Sequence, residues 1–333
     1  MNIFITGIAG FLGSSLAHHL IKKNHNIKGN DNFIGGYEDN LNNDFTFYNS
    51  DCCDYKSMKE ITKNTDILIH CAATAYEGLS VFSPSFVTKN IYEASVSTFS
   101  AAIENKVKKI IFCSSMARYG AQQIPFKEDM ETLPQDPYGI AKVAAEKTLI
   151  NLCEVHDVDW TILVPHNIVG PRQKYDDPYR NVMSIFLNRM LLNKPAIIYG
   201  DGSQKRCFSY VDDCIDCIED SMMNPLASKE IINIGPDEEF ISIKELADKC
   251  ANVTGFNSPH LFHKDRPQEV KLATCSANKA RRILGYKTKV NLEKSIELTH
   301  EYIKNRGPKE FDYKLELEII NDKTPQTWKK KLI

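Results

Sequence analysis

Between a short apolar run, Ile3-Phe4-Ile5, and an amphipathic stretch that starts at Phe11 stands the segment Thr6-Gly7-Ile8-Ala9-Gly10-Phe11-Leu12-Gly13. Glycines so spaced suit a strand that turns sharply into a helix. They permit the tight turn, let a ligand approach the main chain, and let the helix pack closely on the strand. The helix N-terminus then presents free N–H groups and the positive end of its dipole, a ready site for phosphates. Asp31 ends the second apolar run about two dozen residues later, where a carboxylate accepts hydrogen bonds from adenosine ribose hydroxyls and repels a 2′-phosphate. No arginine lies beside it to welcome that phosphate. Gly7, Gly10, Phe11, Leu12, Gly13 and Asp31 therefore read as a dinucleotide site, with NAD favoured over NADP.

The rest of the chain repeats the same alternation. Strands are expected at Asn26 to Asn30, Asp66 to Cys71, Lys108 to Ser114 and Asp159 to Pro165, separated by helical patterns at Ser57 to Lys63, Pro84 to Asn105 and Pro137 to His156. This rhythm predicts an α/β fold, a parallel sheet covered by helices on both faces. Past Gly170 it loosens into helices near Asn181 to Asn193, Val211 to Met223, Ser242 to Thr254, Ser276 to Leu284 and Leu292 to Lys304, with strands at Ala196 to Tyr199 and Ile231 to Ile234. Three regions are expected: a nucleotide-binding domain over 1–167, to which later segments return; a smaller, mainly helical α/β lobe over 168–306 that binds substrate; and a tail over 307–333. No Pro-, Gly- or Ser-rich linker divides the halves, so they should share a cleft where ligands bind. In the tail, Phe311 to Leu317 alternates in strand fashion and predicts a surface strand packed on the body.

Composition narrows the partners. An apolar fraction of 42% and a charged fraction of 25% are those of a globular chain, and no apolar run is long enough to span a membrane. The net charge of −2 provides no general attraction to nucleic acid or lipid, so an anionic ligand must be held by a local cluster. Met1 leads directly into the first apolar run without the features of a secretory signal, and the ten cysteines are scattered through apolar segments. A cytoplasmic location is expected. Cys214-Ile-Asp-Cys217 has no second ligand pair and sits on an expected helix, so buried thiols, and no metal, are predicted there.

Tyr138 and Lys142 stand four residues apart at the start of a helix opened by Asp136 as N-cap and Pro137 at the first helical position. That spacing projects both from one face. A lysine cation and an oxidised nicotinamide would stabilise the phenolate, lowering a pKa that otherwise lies near 10, so that Tyr138 could act as a general base. Ser115 closes Cys113-Ser114-Ser115 at the C-terminal end of an expected strand, where open α/β sheets collect their ligands. Its hydroxyl could hold the substrate oxygen that loses its proton.

With these motifs the chain resembles the extended short-chain dehydrogenase/reductase superfamily, specifically the NAD-dependent sugar-nucleotide epimerase/dehydratase family. The likeness runs from Met1 to about Tyr302. It is carried by the glycine loop, Asp31-Asn32, His70-Cys71-Ala72-Ala73, Ser114 to Gly120, Pro137-Tyr138-Gly139-Ile140-Ala141-Lys142, Asn167 to Gln173 and Arg206 to Asp213. The resemblance implies a Rossmann-type doubly wound sheet. It implies that Asn32, Asp51, Cys52, Ala72, Ala73 and Asn90 border the coenzyme along with Tyr138 and Lys142, and that Ser115, Asn167, Tyr199, Arg206 and Arg266 hold a nucleoside-diphosphate sugar. It also implies a homodimer through the helices at Pro84 to Asn105 and Pro137 to His156.

Within this family, dehydratases carry an Asp-Glu pair after the equivalent of Ser115, and decarboxylases a glutamate. Here those places hold Met116 and Ala117. What remains is hydride abstraction at the sugar's C4, which implies a UDP-sugar 4-epimerase if the hydride returns to the opposite face. A 4-dehydrogenase that releases a 4-keto sugar, UDP- or GDP-linked, is the alternative, and a catalytically silent NAD-binding scaffold a minor one. Four features depart from the family pattern: Ala75; Tyr76-Glu77-Gly78, which brings a carboxylate toward the sugar pocket; Arg118 in place of an aliphatic residue; and the unusual loop Lys174 to Asn181. Neutral drift at solvent-facing positions is the plain alternative for Arg118 and Glu77.

Overall fold

The computed structural model describes residues 1–333. Seven parallel strands form its main sheet: β1 (Asn2–Thr6), β2 (Asn26–Asp31), β3 (Thr46–Asn49), β4 (Ile67–His70), β5 (Lys109–Cys113), β6 (Asp159–Pro165) and β7 (Glu230–Ile234). Their spatial order is β3-β2-β1-β4-β5-β6-β7, the doubly wound order expected, with the chain reversing direction across the sheet between β1 and β4. Central strands are apolar throughout because helices cover both faces. Ile3 and Ile5 of β1 point to one side, where they pack with Leu16, Leu20, Ile215 and Ile218. Phe4 points to the other and packs with Leu68, Phe99, Ala102 and Leu149.

The helix α1 (Phe11–Ile21) follows the glycine turn, and Pro137–Val155 follows the cap predicted for it. There the Asp136 carboxylate accepts from Gly139 N at 2.9 Å. The long helical rod after β4 is not uniform. It runs Pro84–Thr88, then a π-turn Lys89–Glu93, then Ala94–Glu104.

A second cluster of buried side chains gathers Val182–Leu191, Ile243–Thr254 and Leu292–Arg306 around Phe186, Leu246 and Ile296. Three small sheets border it, including Ile197–Tyr199 paired with Leu261–His263. The strand expected at Ala196 to Tyr199 is present, but the sequence pattern did not reveal the two-residue strands, Leu261–His263 or β3, where Phe47 and Tyr48 are only partly buried.

The tail corrects the expectation of a surface strand. Residues 307–325 form no strand, and the chain ends in the short helix Gln326–Lys329. The tail packs nonetheless, with Phe311, Trp328 and Ile333 buried in the same cluster as Tyr138, Tyr76 and Tyr179. Alternation along Phe311 to Leu317 reflects aromatic and aliphatic side chains that alternately meet the body, without a neighbouring strand to pair the backbone. No helix is long and apolar enough to cross a membrane.

Candidate active site

At the carboxyl ends of the strands, where the order reverses, lies a cavity of about 430 Å³ between the sheet and the second cluster. All the residues singled out above for coenzyme, chemistry or substrate line it, from Gly7 and Asp31 at one end through Ser115, Tyr138 and Lys142 to Tyr199, Arg206 and Arg266 at the other.

The coenzyme half follows from close backbone packing. Gly7 has φ +69°, and a Cβ there would sit 2.9 Å from Ala72 Cα. A Cβ on Gly13 would sit 2.2 Å from the Gly7 carbonyl oxygen. Gly10 caps α1 without any side-chain partner, which leaves its first N–H groups facing the cavity. Asp31, at the end of β2, accepts from Ala9 N at 3.0 Å and from Phe33 N at 2.7 Å. Burial pushes its carboxyl upward while these bonds oppose the shift. Asn30 ties the adjoining wall by donating to Ser50 O and Cys52 Sγ. Asn90 lies in the π-turn, where its amide donates to Phe86 O at 2.8 Å. A bare helix start with a ribose-reading carboxylate at this distance along the sheet edge fits NAD.

At the centre, Ser115 caps the turn Met116–Tyr119 by accepting from Ala117 N at 3.2 Å. Its hydroxyl also lies near enough to the Tyr138 phenol to favour the phenolate. The expected pairing of Lys142 with Tyr138 is different in detail. The ammonium donates to Cys113 O at 2.7 Å and lies 4.8 Å from the centre of the Phe112 ring. Burial lowers its pKa to about 8. In the chain alone the Tyr138 phenol is pushed well above its ordinary value, first by burial and then by Glu77 and Asp136, with Ser115 and Arg180 pulling the other way. The lowered value that sequence reasoning expected therefore requires the cationic coenzyme in place. Asp136, known from sequence only as a cap, is itself pushed up to about 7 by burial and by Glu77.

The far half is rich in charge. Arg266 forms a fork on Glu269, with Nη2 to Oε1 at 2.9 Å, and lies over the Tyr199 ring at 4.7 Å. Arg206 spends its N–H groups on the carbonyls of Lys205, Val270 and Lys271. Asn167 stands in the left-handed region, with φ +44°, and donates to Cys207 O. Sequence reading did not find the tail's share of this wall. Ile333 lines the cavity, Tyr199 Oη and Thr327 Oγ1 are 2.6 Å apart, and Trp328 approaches Gly78. No periodic signal could have placed an irregular segment there.

Two departures acquire a structural account. Arg118 does not face solvent. It is 4% exposed and reaches Glu146, itself 2% exposed, with Nε···Oε2 at 3.1 Å and Nη2···Oε2 at 3.0 Å. In the loop Lys174 to Asn181, Asp176 accepts from Tyr37 Oη and Asp177 from Tyr76 Oη, each at 2.7 Å, and Tyr179 to Asn181 line the cavity. Cys214 and Cys217 are buried thiols, their pKa values raised by desolvation.

The pattern of the NAD dependent epimerase/dehydratase family matches residues 3–235. The chain belongs to that family. It is 31% identical to the UDP-glucose 4-epimerase of Mycolicibacterium smegmatis, covering 92% of this chain and all of that one. Among solved structures, the UDP-glucose 4-epimerase of Thermotoga maritima with UDP-glucose superposes with a TM-score of 0.86 at 31% identity, over 92% of this chain and 99% of that one. The UDP-glucuronic acid 4-epimerase of Bacillus cereus, with UDP-glucuronic acid and NAD, gives 0.85 at 29%, over 92% and 100%. NAD is thus the coenzyme, and the relatives include 4-epimerases for more than one nucleotide sugar. They leave unmatched a stretch of this chain about as long as the tail.

Proposed function

We propose that this protein is a 4-epimerase of a nucleoside-diphosphate sugar, UDP-linked by preference. One observation carries the reading: Ser115 and Tyr138 both line the cavity where its coenzyme and substrate halves join, and Met116 and Ala117 follow in place of acids. Without those acids, elimination and decarboxylation lack their helper groups. Ser115 orients the C4 hydroxyl and Tyr138 takes its proton. Lys142, whose ammonium rests on the Cys113 carbonyl, would add to the positive charge that the phenolate needs once the coenzyme is in place. When bound, NAD would supply the acceptor for hydride removal at C4 and the donor for its return. Rotation of the 4-keto sugar between those events inverts C4, and Tyr138 gives the proton back. Arg206 and Arg266 would grip the diphosphate, for which a forked guanidinium is well shaped, and Tyr199 would flank the base.

The lobes over 1–167 and 168–306 would supply the coenzyme and substrate sides respectively. A homodimer through Pro84–Glu104 and Pro137–Val155 is part of the proposal, supported by the exposure of Tyr92 and Ile140 on those helices. Incubation with a panel of UDP-sugars should produce the C4 epimer without lasting absorbance from NADH. Tyr138→Phe should lower kcat by about 10²–10⁴-fold while coenzyme still binds. Stoichiometric accumulation of NADH would instead identify a 4-dehydrogenase. Light scattering on the same preparation should give about twice the chain mass of 37.8 kDa.

A further inference from the structure

The sugar pocket holds an acid that the proposed mechanism does not use. Glu77 begins the short helix Glu77–Ser80, reached from β4 through Ala72 to Tyr76, and its side chain is exposed to the solvent of the cavity that it lines. Its carboxylate makes no hydrogen bond or ion pair within the chain, although the charges of Arg206 and Arg266 act on it. Arg206 donates to main-chain carbonyls and Arg266 to Glu269. Burial raises its carboxyl, against those two arginines.

Its position is built rather than incidental. Tyr76, just before it, is buried, donates to Asp177 and lies under the Arg180 guanidinium at 5.6 Å. Gly78, just after it, leaves only enough room for Arg266 and Trp328, because a Cβ there would be 3.3 Å from Arg266 Nη1 and 3.6 Å from Trp328. Ser80 Oγ donates to the Glu77 carbonyl at 2.7 Å. A carboxylate that projects into the cavity without a protein partner is free to accept hydrogen bonds from a ligand that displaces the water there.

We infer that Glu77 selects the sugar: it accepts hydrogen bonds from the hydroxyl groups of a neutral hexose and turns away a uronate. The inference rests on the epimerase reading and names its substrate class. Hydroxyl groups satisfy the vacant carboxylate oxygens. A sugar carboxylate would bring a second negative charge beside it where the bound ligand has displaced water, a repulsive element of the kind by which sites reject near-identical ligands. The family includes enzymes for both sugar classes, so some residue of this pocket must decide between them.

The test compares kcat/KM for UDP-glucose and UDP-glucuronate, with NAD saturating, in the wild type and in Glu77→Gln. Wild-type protein should favour UDP-glucose by at least about tenfold, equivalent to about 1.4 kcal/mol. Glu77→Gln, which keeps the shape and removes the charge, should narrow that ratio by at least about tenfold with an unchanged melting temperature. Calorimetric titration of both nucleotide sugars into Tyr138→Phe and Tyr138→Phe/Glu77→Gln should show the same gain in affinity for the uronate, independent of turnover. A wild-type preference for the uronate, or a ratio that Glu77→Gln leaves in place, overturns the inference and leaves the epimerase reading standing. Folded, NAD-bound protein that turns over no nucleotide sugar overturns both.

Discussion

Removing the Arg118 guanidinium tests whether the pair behind the active site carries structural weight. Glu146 accepts Nε and Nη2 of Arg118, and its other oxygen accepts from Ser114 Oγ. Arg118 Nη1 also donates to Tyr119 Oη at 3.1 Å, and Tyr119 in turn donates to Asn233 of β7. In Arg118→Met the apolar stem survives, but Glu146 keeps only Ser114 and the more distant Lys142. Breaking a buried pair on one side costs about 3–5 kcal/mol, because the remaining charge stays desolvated and unpaired. For a chain of this size that corresponds to a fall in Tm of roughly 4–7 °C.

The double variant Arg118→Met/Glu146→Met removes the stranded charge as well and should recover most of the loss. Burial already raises the Glu146 carboxyl, and Arg118 opposes that rise. Without Arg118 the native pKa climbs further above the unfolded value. The penalty is then full above the raised native pKa and fades as pH falls toward the unfolded value. Arg118→Met should therefore close part of its gap to wild type as the pH falls from above neutrality toward the ordinary carboxylate range. Urea denaturation of the three proteins, each without added coenzyme, measures this. A loss below about 1 kcal/mol in the single variant, or a double variant no more stable than the single, would refute the reasoning.

Two other outcomes can be checked directly. Asp31→Asn replaces a carboxylate oxygen with an amide beside Ala9 N and Phe33 N, and should weaken NAD binding by roughly 10–100-fold in a fluorescence titration, the range of a lost hydrogen bond to a charged group; an unchanged Kd refutes its coenzyme role. Trp328→Ala removes a ring packed edge-on against Phe82 and Tyr179. It should loosen the tail to limited proteolysis and raise KM for the nucleotide sugar more than it weakens NAD binding, since Trp328 packs against Tyr179 and near Gly78 on the substrate side.

The sheet was largely legible because buried parallel strands are continuous apolar runs and their helices announce themselves by caps such as Asp136-Pro137. β3 escaped because it lies on the sheet edge, half-buried, with polar residues at both ends. The glycine loop, Asp31, Ser115 and Tyr138 were visible because their chemistry demands particular residue types at particular strand ends. Lys142 illustrates the limit of spacing. An i, i+4 relation places two side chains on one face without fixing which acceptor an ammonium takes, and here the Cys113 carbonyl is nearer than the phenol's reach. Arg118 likewise looked like a surface substitution, because its partner Glu146 lies 28 residues along on another helix. The tail's role depends on contacts with residues more than a hundred positions earlier, such as Tyr199 with Thr327, and no local pattern encodes those.

The widened turn at Lys89–Glu93 gives one rod two allegiances. Before it, Val87 belongs with Trp328 and Tyr138; after it, Ala94, Phe99 and Ala102 belong with the sheet. An ordinary helix advances about 100° per residue, so deleting a single residue there would turn one half through that angle against the other. Either Asn90 and the tail's seat, or the layer under β4 and β5, would then face the wrong way. Insertions and deletions in this five-residue window should consequently be selected against more strongly than substitutions of its individual side chains, as in a gear whose tooth count matters more than the finish of any one tooth.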